Sequence, residues 1–282
     1  MFKSIRKHAG LVKRGVKGLF INKLESTPPI PKELETLTLG FSVKGNPIEA
    51  YKIGNGEKAI LFASAIHGNE VGTIKTAHHL LNWLNEHQEG YEDFTFWVIP
   101  CLNPDGYETA LKRPNYLGDG RIGRLNGHGV DLNRNFPTIS WRAESDWTHG
   151  ANYKERTPVF CGLGGASEPE IQALIKLIRT QEIKVWYMFH NKGRDVMGNV
   201  NELAQELTKE YSIQSGYRFF SPEEWIDLKQ TGTGKEWCDE NDVAFIEIEA
   251  STRWGADWTI QKPAIIGTLD LLKKAKISSH ET

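Results

Sequence analysis

Apolar residues alternate with polar ones or run together in six short stretches of the chain, and they recur every three or four residues in four longer ones. The runs at 36–42, 47–52, 58–65, 94–100, 184–190 and 243–249 predict strands, and the spacing across 70–86, 167–180, 199–211 and 262–276 predicts helices. In the first helix Val71, Ile74, Ala77, Leu80, Leu81, Trp83 and Leu84 form a single apolar stripe. Strands interleaved with helices predict an α/β fold, with a mixed, mainly parallel central sheet and helices on both faces. Ligands of such sheets collect beyond the carboxyl ends of the strands. His67, the loop after Pro100, His190 and Glu249 each follow or close a predicted strand, so a site is expected where those ends meet.

With 282 residues the chain can bury a substantial core, and one catalytic domain over 33–282 is expected. Thr27-Pro-Pro-Ile-Pro-Lys32 reads as a stiff spacer, which makes 1–32 a basic N-terminal extension. Residues 1–23 interleave Lys3, Arg6, Lys7, Lys13, Arg14, Lys17 and Lys23 with apolar side chains. Such a segment can touch an anionic membrane, but an arm packed on the domain is the preferred reading. The Gly- and Asn-rich connection 101–166 is long enough to predict a functional role.

The balance of 34 basic against 36 acidic side chains, net −2, gives no electrostatic case for nucleic acid and favours a small or peptide partner. Cys101, Cys161 and Cys238 are too scattered for a disulfide framework or a thiolate metal site. The chain also shows no apolar run of the roughly 18 residues that span a membrane and no secretory apolar core at its start. A cytoplasmic protein is therefore expected.

The densest chemistry lies in Ala63-Ser-Ala-Ile-His67-Gly-Asn-Glu70, where an imidazole and a carboxylate stand three positions apart at a strand-to-helix turn and project from one face. Catalytic zinc sites keep three protein ligands and an open position, so a third donor must come from elsewhere. His190, after the apolar run Val185-Trp-Tyr-Met-Phe189, is the best candidate, although a lone strand-end histidine is more often structural. Glu247 and Glu249 share one strand face. Ser167-Glu-Pro-Glu170 reads as a helix start capped by serine. His78, His79, His128 and His149 read as surface residues. Trp237, Trp254 and Trp258 read as core packing, with a specificity pocket as the other possibility.

His67-Gly-Asn-Glu70, Asn103-Pro-Asp-Gly106, Gly129-Val-Asp-Leu-Asn-Arg-Asn-Phe-Pro137, Ser167-Glu-Pro-Glu170 and His190 occur in the order seen in carboxypeptidase A-like zinc metallopeptidases. The chain resembles that family over roughly 35–275, and Arg124-Leu-Asn126 followed by Gly129 to Arg134 is similar to its bacterial murein peptide amidase branch. The resemblance implies one Zn²⁺ held by His67, Glu70 and His190, with Asp131 orienting the first histidine. It further implies Arg124 at the oxyanion, Asn133 and Arg134 on a substrate carboxylate, and Glu249 as base with Glu247 as the alternate. The implied activity is hydrolysis of an amide near the free C-terminal carboxylate of a small peptide. Asn191 replaces the family's serine, and Asn69 stands where digestive members carry arginine. An N-acyl amino acid deacylase of the aspartoacylase type shares two of the motifs, and a silent peptide-binding module would use the same pocket.

Overall fold

The computed structural model describes residues 26–112, 121–150, 153–226 and 228–275. The basic segment 1–23 lies outside the described residues. Eight strands form one mixed sheet: β1 (Glu35–Phe41), β2 (Pro47–Ile53), β3 (Lys58–Ser64), β4 (Phe94–Ile99), β7 (Val185–Asn191), β8 (Asp195–Gly198), β9 (Arg218–Phe220) and β10 (Ala244–Ala250), in the order β1-β2-β4-β3-β7-β10-β8-β9. The central strands β4, β3, β7 and β10 run parallel, β1, β2 and β8 pair antiparallel with their inner neighbours, and β9 runs parallel to β8.

The central strands are continuously apolar because both faces of the sheet are covered. In β3, Leu61 and Ala63 enter the core on one face and Ile60 and Phe62 the core on the other. Helices α1 (Val71–Glu86), α4 (Glu202–Ser215) and α7 (Trp258–Lys274) pack on the Phe62 side, and α3 (Pro169–Thr180) and α6 (Gly234–Glu240) on the Leu61 side. Phe62 stacks on Tyr187 at 4.7 Å. Burial of such a ring contributes about 2–3 kcal/mol.

The six strands and four helices expected from periodicity are all present within a few residues of their expected bounds. Other elements escaped that reading. Helix α2 (Pro104–Lys112) and the hairpin β5 (Glu144–His149)/β6 (Glu155–Phe160) lie inside the supposed connection, and the short helix α5 (Pro222–Ile226) follows β9. The N-cap position of α3 is Glu168 rather than Ser167, and its side chain makes no capping bond. The Pro-rich stretch is docked on α1 rather than standing free, because His78 Nδ1 lies 3.0 Å from the Pro28 carbonyl and Asn82 Nδ2 donates to Pro29 O. His78 and His79 are accordingly half-buried rather than surface residues, and the His79 ring stacks on Trp258. Trp237 is core.

Two motifs meet behind the strand ends. Asn103 Nδ2 donates to Ile66 O at 3.2 Å and to Arg124 O at 3.1 Å, while its Oδ1 accepts from Gly106 N. One amide thus ties the turn after β3 to the loop of Arg124. Gly68 lies so close to α2 that a Cβ would come within 2.1 Å of Tyr107 N and 2.3 Å of the Gly106 carbonyl carbon. Backbone atoms cannot step aside there as a side chain can. Gly68→Ala is expected to destabilise the protein by about 2–3 kcal/mol or more through overpacking, read as a lowered denaturant midpoint at unchanged slope.

Candidate metal centre

The backbone leaving β3 is held on both sides. Ala65 adopts a left-handed φ of 50°, its N–H donates to Thr73 Oγ1, and its carbonyl accepts from Asn103 N. Such a conformation persists only where the surroundings over-determine it, and here it turns His67 inward. Glu70 is the N-cap residue of α1 yet makes no capping bond with its side chain. Its carboxylate instead lies between two imidazoles: Oε1 is 3.1 Å from His67 Nδ1 and Oε2 is 2.9 Å from His190 Nδ1. All three residues are buried, and their donor atoms lie within 4.8 Å of one another.

Two imidazole nitrogens and a carboxylate oxygen form a donor set suited to zinc. Burial works against the Glu70 carboxylate, yet His190 and His67 beside it hold its carboxyl well below the usual range. His67 Nε2 lies 3.1 Å from Asp131 Oδ1, which brings the expected orienting carboxylate into contact with the first histidine. Asp131 is fully buried, and Arg124 grips its other oxygen through Nε and Nη2 at 2.9 Å each. Burial alone would raise the Asp131 pKa, but Arg124 and then His67 override it, and the carboxyl stays well below its ordinary value.

These groups open into a cleft of about 1170 Å³ that His67, Glu70, Arg124, Asn133, Arg134, His190, Glu247 and Glu249 all line. Arg124 stacks on Trp147 at 4.6 Å besides holding Asp131. Arg134 is fixed by carbonyls alone, with Nε and Nη2 on Asp146 O at 3.2 Å and Nη1 on Asn133 O at 2.6 Å. Among the described residues no carboxylate lies within 4.0 Å of it, although the charges of Asp131 and Glu247 act on it through space. Asn133 Oδ1 accepts from Gly234 N, so its amide is oriented by the start of α6.

The two candidate bases are separated by position. Glu247 Oε2 lies 3.7 Å from His190 Nε2, on the side of the ring turned away from Glu70, and that nitrogen has no hydrogen-bond partner. Glu249, register partner of His190, is half-buried in the cleft, where burial and then the Glu70 charge push its carboxyl up to about 8.

Several lining residues were missed in the sequence. Trp147 and His149 reach the cleft on β5, so His149 is not a surface residue. Tyr153 donates to Asp195 Oδ2 at 2.8 Å and Arg218 Nε to Asp195 Oδ1 at 2.7 Å, which forms a polar wall. Arg253 lines the cleft from the loop after β10. None of these carries a periodic or motif signal.

Asp131→Asn removes the acceptor that fixes the His67 ring and is expected to weaken zinc binding about 10- to 100-fold, measured by competition with a chelator. In the metal-free protein burial disfavours the His190 imidazolium, but Glu247 and then Glu70 outweigh it and push the group up to about 9. The folded-state value is raised, so this contribution to stability is full below about 6.5 and is lost as pH rises through about 9. A zinc ion held by these residues would displace that proton. Calorimetry near neutral pH in buffers of different ionisation enthalpy should show release of about one proton per metal, and no release would contradict His190 as a ligand.

Comparison with known proteins agrees with the geometry. The chain is 26% identical over 185 residues to human carboxypeptidase B2, a match covering 59% of this chain and 42% of that protein, so it spans less than half the length of this relative. It is 29% identical over 233 residues to murein peptide amidase A of Vibrio campbellii, covering 79% of this chain and 82% of the relative. The fold superposes on murein-tripeptide amidase from Escherichia coli O157 with a TM-score of 0.61 at 22% identity, over 90% of this chain and 95% of that one. A zinc carboxypeptidase family model matches residues 20–233, and the chain accordingly belongs to the zinc carboxypeptidase family of metallopeptidases.

Proposed function

We propose that the chain is a zinc-dependent metallocarboxypeptidase or peptide amidase that hydrolyses an amide bond near the C-terminus of a small peptide. The observation that carries this reading is a single cleft holding three convergent metal donors, a half-buried carboxylate at Glu249 and an arginine whose guanidinium is held by carbonyls rather than by a carboxylate. One zinc ion held by His67, Glu70 and His190 would lower the pKa of water toward about 7 and polarise the scissile carbonyl.

The chain's own groups supply the rest. Glu249 takes the proton of the attacking water and passes it to the leaving nitrogen, and a carboxyl lifted toward neutral pH suits both transfers. Glu247 sits against His190 Nε2 and fits an orienting role better than that of base. Arg134 and Asn133 receive the terminal carboxylate, for which a guanidinium fork is geometrically matched. Arg124 spends one edge on Asp131, and its charge is directed at the developing oxyanion. Asp131 keeps the His67 ring in place throughout.

A murein peptide is the substrate class suggested by the amidase relative, and its bacterial name is the support for that choice. A cytoplasmic site of action belongs to the same reading and rests on three free thiols.

Zinc-loaded protein incubated with a wall tripeptide, a panel of C-terminal dipeptides and N-acyl amino acids is expected to release the C-terminal residue of a peptide. Turnover of N-acyl amino acids alone would replace this reading with a deacylase. Glu249→Gln is expected to cut kcat by about 10²- to 10⁴-fold with zinc retained. Glu247→Gln should leave more activity than Glu249→Gln but bind zinc less tightly, and the reverse order would exchange the two roles.

A further inference from the structure

The segment from Arg124 to Arg134 carries Arg124, Asp131, Asn133 and Arg134 into the cleft, but it is fastened from behind. Between Arg124 and Asp131 the chain makes a tight turn, in which Asn126 N donates to Val130 O at 3.0 Å and Gly129 N to Asn126 O at 3.1 Å. Gly129 sits there at a left-handed φ of 77°. The Asn126 side chain closes the same turn a second time, its Oδ1 accepting from His128 N at 3.1 Å and from Val130 N at 3.0 Å. The shape of this turn sets how the Arg124 guanidinium meets Asp131.

The nitrogen of the same amide points out of the turn. Asn126 Nδ2 donates to Glu168 Oε2 at 2.7 Å and to Glu170 Oε2 at 3.2 Å, and all three residues are buried. Two N–H donors and two oxygen lone pairs are all that an amide side chain offers, and every one is used. The carboxylates are anchored in their turn: Glu168 Oε1 accepts from Ser167 Oγ at 2.7 Å, Glu170 Oε1 accepts from Val43 N at 3.3 Å, and His128 Nδ1 lies 2.8 Å from Glu168 Oε2. Gly127 is pressed against its surroundings, since a Cβ would fall 2.6 Å from Asp105 Oδ2 and 2.8 Å from Val43 Cβ.

Ser167-Glu-Pro-Glu170 therefore does more than start a helix. Glu168 makes no capping bond and gives its side chain to Asn126 instead. Its N–H donates to Asn135 Oδ1 at 3.1 Å, and Asn135 Nδ2 donates to Ser167 Oγ at 3.0 Å. The start of α3 thus grips the segment near both ends, at Asn126 just after Arg124 and at Asn135 just after Arg134. Hydrogen bonds to charged acceptors are the stronger kind, and a fully satisfied buried network rigidifies what it holds.

We propose that Asn126 is a positioning residue of the hydrolysis: joined to Glu168 and Glu170, it fixes the turn that sets Arg124 against Asp131, and through them the oxyanion guanidinium and the His67 ring. This deepens the peptidase reading above and rests on it. Asn126 does not line the cleft, so it acts through those two neighbours alone. A charge aimed at the oxyanion loses its effect when misdirected, and a carboxylate behind a metal-binding histidine sets the affinity for the metal. Loosening the turn therefore acts on kcat and on zinc affinity. Asn133 and Arg134, anchored through Gly234 N and the Asp146 carbonyl, keep their hold on the substrate.

The test uses the peptide that the wild type cleaves fastest in the panel above, with zinc-saturated full-length protein. Asn126→Ala is expected to lower kcat by about 10- to 100-fold with KM within about twofold. Because the effect passes through Arg124, the same substitution in an Arg124→Gln background should cost less than about twofold. An unchanged kcat in the single variant, or an equal loss in both backgrounds, overturns the proposal. If Asn126→Ala fails to fold, Glu168→Ala and Glu168→Gln replace it. Glutamine keeps an acceptor for the Asn126 amide and is expected to retain most of the activity that alanine loses, and equal activity of the two overturns the proposal. If the wild type cleaves no peptide, the hydrolytic reading fails separately, and zinc affinity measured by chelator competition decides. Asn126→Ala should then weaken zinc binding by about 10-fold in the wild-type background and not in Asp131→Asn. No weakening, or the same weakening in both, refutes the positioning role.

Discussion

One buried carboxylate sets the rest of the molecule in register. Glu70 places one oxygen against each of two imidazoles that come from opposite halves of the chain, the turn after β3 and the end of β7. Strands β3 and β7 are parallel neighbours, paired from Ile60/Val185 to Ser64/Phe189, so a slip of one residue would point His190 to the other face of the sheet. The apolar alternation that fills the two cores therefore also delivers the donor atoms. The attraction between the Glu70 carboxylate and the His190 imidazole outweighs the burial of both, which is why the carboxyl moves down and the imidazole up.

A second layer of charge keeps that centre from being merely a cluster of buried ions. Asp131 is shared between His67 and Arg124, and Arg124 in turn lies flat on Trp147. Each member satisfies the next, which is the condition under which buried charges are tolerated. Arg134 departs from this pattern, since carbonyl dipoles orient it without neutralising it. A guanidinium held this way, with no direct carboxylate partner among the described residues, is left able to receive a ligand anion.

The sheet and the metal donors were legible in the sequence because both depend on strong local signals. Strands buried on two faces read as apolar runs, and His67 and Glu70 sit three residues apart at the end of one. The hairpin β5/β6 was not legible, because its residues are mostly half-buried or exposed and carry no alternation of buried and exposed positions. Helix α2 begins in Asn103-Pro104-Asp105-Gly106, residues that read as a turn, and its start is secured by Asp105, which accepts from Ser42, Lys44 and Asn46 far away in sequence. Ser167 does not cap α3, because its Oγ is engaged with Asn135 and Glu168, and the N-cap position falls to Glu168, whose side chain makes no capping bond. Arg253 carries no motif at all, and its place in the cleft follows from the packing of its loop on α1.

The hairpin also separates two tasks that share one cleft. Asp146 offers the carbonyl that steers Arg134, and Trp147 gives the surface on which Arg124 rests, yet β5 and β6 pair only with each other and stand outside the main sheet. Changes of length or composition in this peripheral ribbon can re-aim both guanidinium groups while the strands that present the histidines stay as they are. The ribbon is nonetheless tied to the metal centre at one point, where the Phe160 carbonyl accepts from the N–H of Asp131, so its outer residues are freer to change than its inner end.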